Sequence, residues 1–134
     1  MDGATPDARR VLVVGRTADN GRIIEEVVRS WMLETVACTS LQESREILAQ
    51  EDFALVFCED RFDGGVYADV LAAIRDRSKV PFVVMVSEAT QDFDLGKARE
   101  LGALDVLPSP CSRRDVQWMV IRATQVGRGS RSLR

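Results

Sequence analysis

An α/β fold, doubly wound on a five-stranded parallel sheet, is predicted by three observations. Five short apolar runs with β-branched residues recur along the chain. A longer stretch with apolar residues at helical spacing follows each of them. The runs are continuously apolar, as strands are when helices cover both faces of a parallel sheet.

The first run, residues 11–14, is followed by a helix over residues 23–33. Its stripe is Ile24, Val27, Val28 and Trp31, with Asn20 placed to act as N-cap. A short strand is expected over residues 35–38. Ser40 then caps a helix through Gln50, and Glu43, three residues on, completes a capping box. Residues 53–58 (FALVFC) read as a buried strand, and Gly64-Gly65 as a turn. Tyr67, Val70, Leu71 and Ile74 stripe the third helix. Residues 82–86 (FVVMV) form the most continuous run and are expected in the centre of the sheet. Leu95, Ala98 and Leu101 stripe the fourth helix, which Gly102 ends at the position past its last turn. Residues 103–107 form the last strand. Ser112 caps a final helix striped by Val116, Met119, Val120 and Ala123.

The 134 residues make one domain. Residues 11–125 hold the pattern; residues 1–10 read as a flexible tail, and residues 126–134 as a flexible basic tail or linker. The chain is 46% hydrophobic and 29% charged, the balance of a globular protein with a real core. A net charge of −3 argues against nucleic-acid binding through bulk charge. The absence of histidine removes His-based acid–base catalysis, Ser-His and Cys-His nucleophiles and most zinc ligand sets. Cys38, Cys58 and Cys111 are odd in number and widely spaced, which fits a reducing, cytoplasmic setting better than a disulfide framework. The first ten residues lack the apolar segment of a signal peptide, and no apolar run approaches the ~18 residues of a membrane span. No cofactor, metal or membrane partner is expected.

In such sheets, function gathers in the loops at the carboxyl ends of the strands. These are residues 15–20, 59–65, 87–92 and 108–111. Gly15 and Gly21 are one residue too far apart for a phosphate-binding GxxxxGK[ST] loop, so a strand-to-helix turn is the preferred reading. Glu59, Asp60 and Asp63 could face a divalent cation, but they match no EF-hand and read as a solvated acidic turn. Cys58 and Cys111 flank this region and read as a buried strand thiol and a loop residue, with a redox sensor as the sharper alternative.

Three stretches carry a resemblance to the receiver domains of response regulators. Residues 54–58 (ALVFC) before Glu59 resemble the third strand of that family, which ends in the phospho-accepting aspartate. Residues 80–87 (VPFVVMVS) resemble the fourth, which ends in a Thr or Ser that senses phosphorylation. Residues 98–110 (ARELGALDVLPSP) resemble the segment that ends in Lys-Pro. The resemblance implies a flavodoxin-like (βα)5 fold with strand order 2-1-3-4-5. It also implies a non-enzymatic module of bacterial two-component signalling and phosphorelay, whose partner is another protein or an output domain.

The departures from the family pattern concern its chemistry. Gly15 and Arg16 stand where the family has two Mg²⁺-binding acids. Glu59 replaces the aspartate, Ser109 the lysine and Val106 the switching aromatic. Only Ser87 keeps the family's residue type. The expectation is therefore a degenerate receiver that acts through protein contact without aspartyl phosphorylation. The alternatives are a working phosphoacceptor through Asp60 or Glu59, and a flavodoxin-like binder of a small ligand at residues 15–21. Strand alternation is expected to point Asp60 away from Glu59. Arg16 is expected to pair with Glu59 in place of the lost cation. The Ser109-Pro110 bond is expected to be cis, as its family equivalent is. Trp118 and Ile121 lie off the core stripe of the last helix and are interface candidates, for a partner or a homodimer.

Overall fold

The computed structural model describes residues 8–75 and 80–132. In chain order the elements are β1 (Arg10–Val14), α1 (Ala18–Arg29), β2 (Glu34–Cys38), α2 (Leu41–Gln50), β3 (Leu55–Glu59), β4 (Arg61–Phe62), β5 (Gly65–Val66), α3 (Tyr67–Arg75), β6 (Phe82–Ser87), α4 (Leu95–Glu100), β7 (Asp105–Ser109) and α5 (Arg113–Ser132). Five strands form one parallel sheet in the order β2-β1-β3-β6-β7. This is the 2-1-3-4-5 order, with the short β4–β5 hairpin outside the count.

Pleating sends successive residues of each strand to opposite faces, and each face has its own core. Val11, Val13, Leu55, Phe57, Val83 and Met85 pack with Ile24, Val27 and Val28 of α1 and with Val116, Met119 and Val120 of α5. Leu12, Val14, Val56, Cys58, Phe82 and Val84 pack with Leu48, Val70, Leu71, Ile74 and Ala98 on the other three helices. Both faces of each central strand are therefore buried, and this is why those strands read as unbroken apolar runs. β7 is an edge strand, and it carries the exposed Pro108 opposite Val86.

The helix starts expected at Ser40 and Ser112 are present. Ser40 Oγ accepts the Glu43 N–H at 3.1 Å, and Ser112 Oγ accepts the Asp115 N–H at 3.1 Å. The Glu43 carboxylate reaches back to the Thr39 N–H at 3.1 Å, one residue earlier than a standard capping box. Gly102 adopts a φ of +114°, the left-handed region that favours glycine past a helix end.

Three expectations are corrected. Asn20 does not cap α1: the helix starts at Ala18 with Thr17 as N-cap, and Asn20 is fully buried inside it. Trp31 does not join the core, because α1 stops at Arg29 and Met32 turns the chain with a φ of +64°. Leu33 packs against the core instead. The acidic loop after β3 folds into the β4–β5 hairpin rather than a simple turn. Residues 126–132 are helical, as a continuation of α5. Propagating a helix fixes one residue per added hydrogen bond, so two glycines weaken this end without stopping it. The tail expected at residues 1–10 ends by Arg10, which opens β1. Residues 1–7, like 133–134, lie outside the described residues.

Candidate functional site at the carboxyl ends of the strands

A cavity of about 570 Å³ opens where the sheet ends, walled by Thr17, Glu59, Asp60, Arg61, Met85, Ser87, Thr90, Asp92 and Ser109, among others. β1, β3, β6 and β7 all point their carboxyl ends at it, so residues far apart in sequence meet there.

Glu59 is the last residue of β3 and is only 8% exposed. Its carboxylate accepts the backbone N–H of Arg16 at 3.1 Å and that of Thr17 at 3.0 Å. The expected Arg16–Glu59 ion pair is not made. The Arg16 guanidinium turns outward and donates to Asp63 on the hairpin at 3.2 Å. Two amides already satisfy the buried carboxylate, and an exposed guanidinium costs less to solvate than a buried one.

Asp60 is buried as well, at 7% exposed, and its carboxylate accepts the Thr90 hydroxyl at 2.7 Å. It lines the same cavity as Glu59, against the expectation from strand alternation. The pleat ends at Glu59. Asp60 begins the turn, donating its N–H to the Met85 carbonyl while its own carbonyl accepts from Tyr67.

Ser109 does not stand free in the cavity wall. Its hydroxyl accepts from Asn20 Nδ2 at 2.8 Å, and Asn20 Oδ1 accepts the Cys111 N–H at 2.9 Å. Asn20 thus ties α1 to the turn after β7, which carries the cis Ser109-Pro110 bond that the resemblance implies. Ser87 accepts the Ala89 N–H at 3.1 Å and lies beside Ser109 in the β6–β7 register.

No family model matches the sequence, and no curated protein matches it either. Solved structures do match. A response regulator receiver protein from Pseudomonas putida is 22% identical with a TM-score of 0.71, over 88% of this chain and 99% of that one. A two-component response regulator from Clostridium difficile is 17% identical with a TM-score of 0.76, over 87% and 95%. NtrX from Brucella abortus is 19% identical with a TM-score of 0.78, over 94% of this chain but 28% of that one. The chain has the receiver fold. At these identities the likeness is one of architecture, and the residues of the site are read on their own.

In this receiver fold, Glu59, Ser87 and Ser109 share the cavity wall, whereas Arg16 lies on the surface beside it. Gly15 sits under the Glu59 side chain. Val106 is half-buried and packs against the second core. Three wall or support residues were missed by sequence reasoning: Thr17, Thr90 and Asn20. Asn20 gave a misleading signal, because an Asn at the start of a helical stripe is the ordinary mark of a cap. Trp118 is 56% exposed and Ile121 half-buried on the outer face of α5, away from the cavity.

The cysteines are all unpaired and buried. Burial pushes the Cys38 thiol up to about 12 and the Cys111 thiol up to about 11. Burial, then the charges of neighbouring groups, also raise Cys58. Reactive sensor thiols sit in the opposite environment. All three should resist a thiol reagent at pH 8 in the folded protein and react fully in denaturant. Fast native labelling of any of them would contradict this. The folded-state values lie above the ordinary thiol value of 9.0. These thiols therefore leave stability unchanged below about pH 9 and lower it as pH climbs toward 11–12, because the unfolded chain gives up its protons first.

Proposed function

We infer that this domain is a receiver that signals through protein contact and does not form an aspartyl phosphate. The single observation that carries this reading is the engagement of Glu59 with two backbone amides, over a glycine and beside an outward-facing arginine. The receiver fold implies a Mg²⁺ ion held by acids after β1. The donor set here does not fit one: Gly15 and Arg16 supply no carboxylate, and both Glu59 oxygens are already bonded. Among the described residues, no three acidic or thiol groups lie together as a metal site would need. Ser109 offers no positive charge to a phosphoryl group, and its hydroxyl is held by Asn20.

The contact surface of this reading is the face of α4, β7 and α5. Arg99 of α4 and Arg122 of α5 both pair with Asp105 of β7, which fixes the three elements relative to one another. Trp118 and Ile121 add apolar area beside Arg113 and Arg114. An aromatic next to arginines is the composition of an interface centre rather than of ordinary surface. A protein partner, an output domain or a second copy could use it.

A second reading, phosphate acceptance by Asp60, draws on the Asp60 carboxylate lining the cavity. One experiment separates the two. Incubation with acetyl phosphate and Mg²⁺ is expected to leave the intact mass unchanged. A stoichiometric phosphoryl adduct would overturn the first reading, and its loss in Asp60→Asn would establish the second.

A further inference from the structure

We propose that Glu59 and Gly15 form a built-in lock on the loop between β1 and α1, with the Glu59 carboxylate as a tethered anion seated on that loop's amides. α1 has twelve residues, and its N-cap Thr17 makes no side-chain capping bond. The amides at such a terminus need an acceptor. Glu59 supplies it from β3, 42 residues further along the chain, taking the Thr17 N–H with one oxygen and the Arg16 N–H with the other. The carboxylate also carries the charge that a helix N-terminus favours.

Gly15 is the other half of the lock. A Cβ placed on it would fall 2.3 Å from Glu59 Cδ and 2.7 Å from Oε1. Its φ of +151° is a conformation that residues with a side chain rarely adopt. Space and backbone geometry therefore both require glycine. Any side chain at position 15 must evict the carboxylate, and the carboxylate in turn fills the room that a residue there would use. The extra methylene of glutamate matters for the same reason. An aspartate would stop about 1.5 Å short, beyond hydrogen-bond reach of both amides. Arg16, freed from Glu59, straps the outer side of the loop to Asp63, whose backbone carbonyl also receives the Leu41 N–H at the start of α2.

The lock holds the loop in one state without a metal, ligand or partner, and its test is separate from the phosphoryl-transfer test. The readout is hydrogen exchange at the Arg16 and Thr17 amides, followed by NMR in the whole chain. Wild type should protect both. Glu59→Asp, which keeps the charge, should speed their exchange on the order of ten- to hundredfold, as expected for a lost charge-assisted hydrogen bond. Glu59→Ala should do the same, and formate should restore protection saturably where equal chloride does not. Gly15→Ala should loosen the loop more in wild type than in the Glu59→Ala background, where the clash with the carboxylate is gone and only the backbone strain at position 15 remains. Unprotected amides in wild type, or protection unchanged in Glu59→Asp, would overturn the proposal. So would Gly15→Ala acting equally in both backgrounds. If Glu59→Ala fails to fold, the wild-type protection and the Glu59→Asp comparison still decide it.

Discussion

Asn20→Leu is expected to destabilise the domain by about 2–4 kcal/mol, a large fraction of the ~5–15 kcal/mol that holds a domain together. The two side chains have the same number and branching of heavy atoms, and leucine is no smaller, so the loss does not come from a cavity. It comes from a stranded donor. Asn20 is fully buried, and its Oδ1 is the acceptor for the N–H of Cys111, itself 3% exposed. A buried donor left without a partner costs about 1–3 kcal/mol. The lost bond to Ser109 adds to this. Urea unfolding should show a lower midpoint at an unchanged slope. A loss below about 1 kcal/mol would mean that water or a backbone shift replaces the bridge, and that Asn20 does not hold the turn after β7.

Phe57→Ala is expected to cost about 3–5 kcal/mol. Phe57 lies in the middle of β3, paired with Val13 on one side and Val83 on the other, and none of it reaches solvent. Strands on both sides and helices above leave little freedom to collapse into the void. Trp118→Ala removes a larger side chain but should stay within about 0.5 kcal/mol, because most of Trp118 already faces water. Comparing the two by denaturant unfolding separates core from contact surface. Equal losses would place Trp118 in the core and remove it from the interface.

The fold was legible because its signals are local. The β-branched runs, the serine caps at Ser40 and Ser112 and the glycine at position 102 each act within a few residues. The site was less legible because its bonds are not local. Glu59 reaches amides rather than side chains, and an amide leaves no mark in a sequence. Arg16 follows the end of β1 and Glu59 closes the adjacent β3, and their charges are opposite, so the sequence favours a pair. What decided against it was an acceptor requirement at α1 that residue types do not reveal. Asp60 shows a related limit. Alternation predicts direction only while a strand lasts, and β3 ends one residue before Asp60. Asn20 stands where a cap would stand, but its two partners lie 89 and 91 residues away, so local spacing points to the wrong role.

Pro108 bears on how these molecules meet one another in concentrated solution. A proline is accommodated in an edge strand only where its nitrogen faces away from the neighbouring strand, and it then leaves the outer rim without a donor at that position. β7 is such a rim, so a foreign strand adding to it would meet a break in the ladder, which disfavours extending the sheet. Fibril-like growth from this side is opposed by covalent structure rather than by charge, and salt should not release it. Assemblies built on this flank are better joined by side chains, and these can part again.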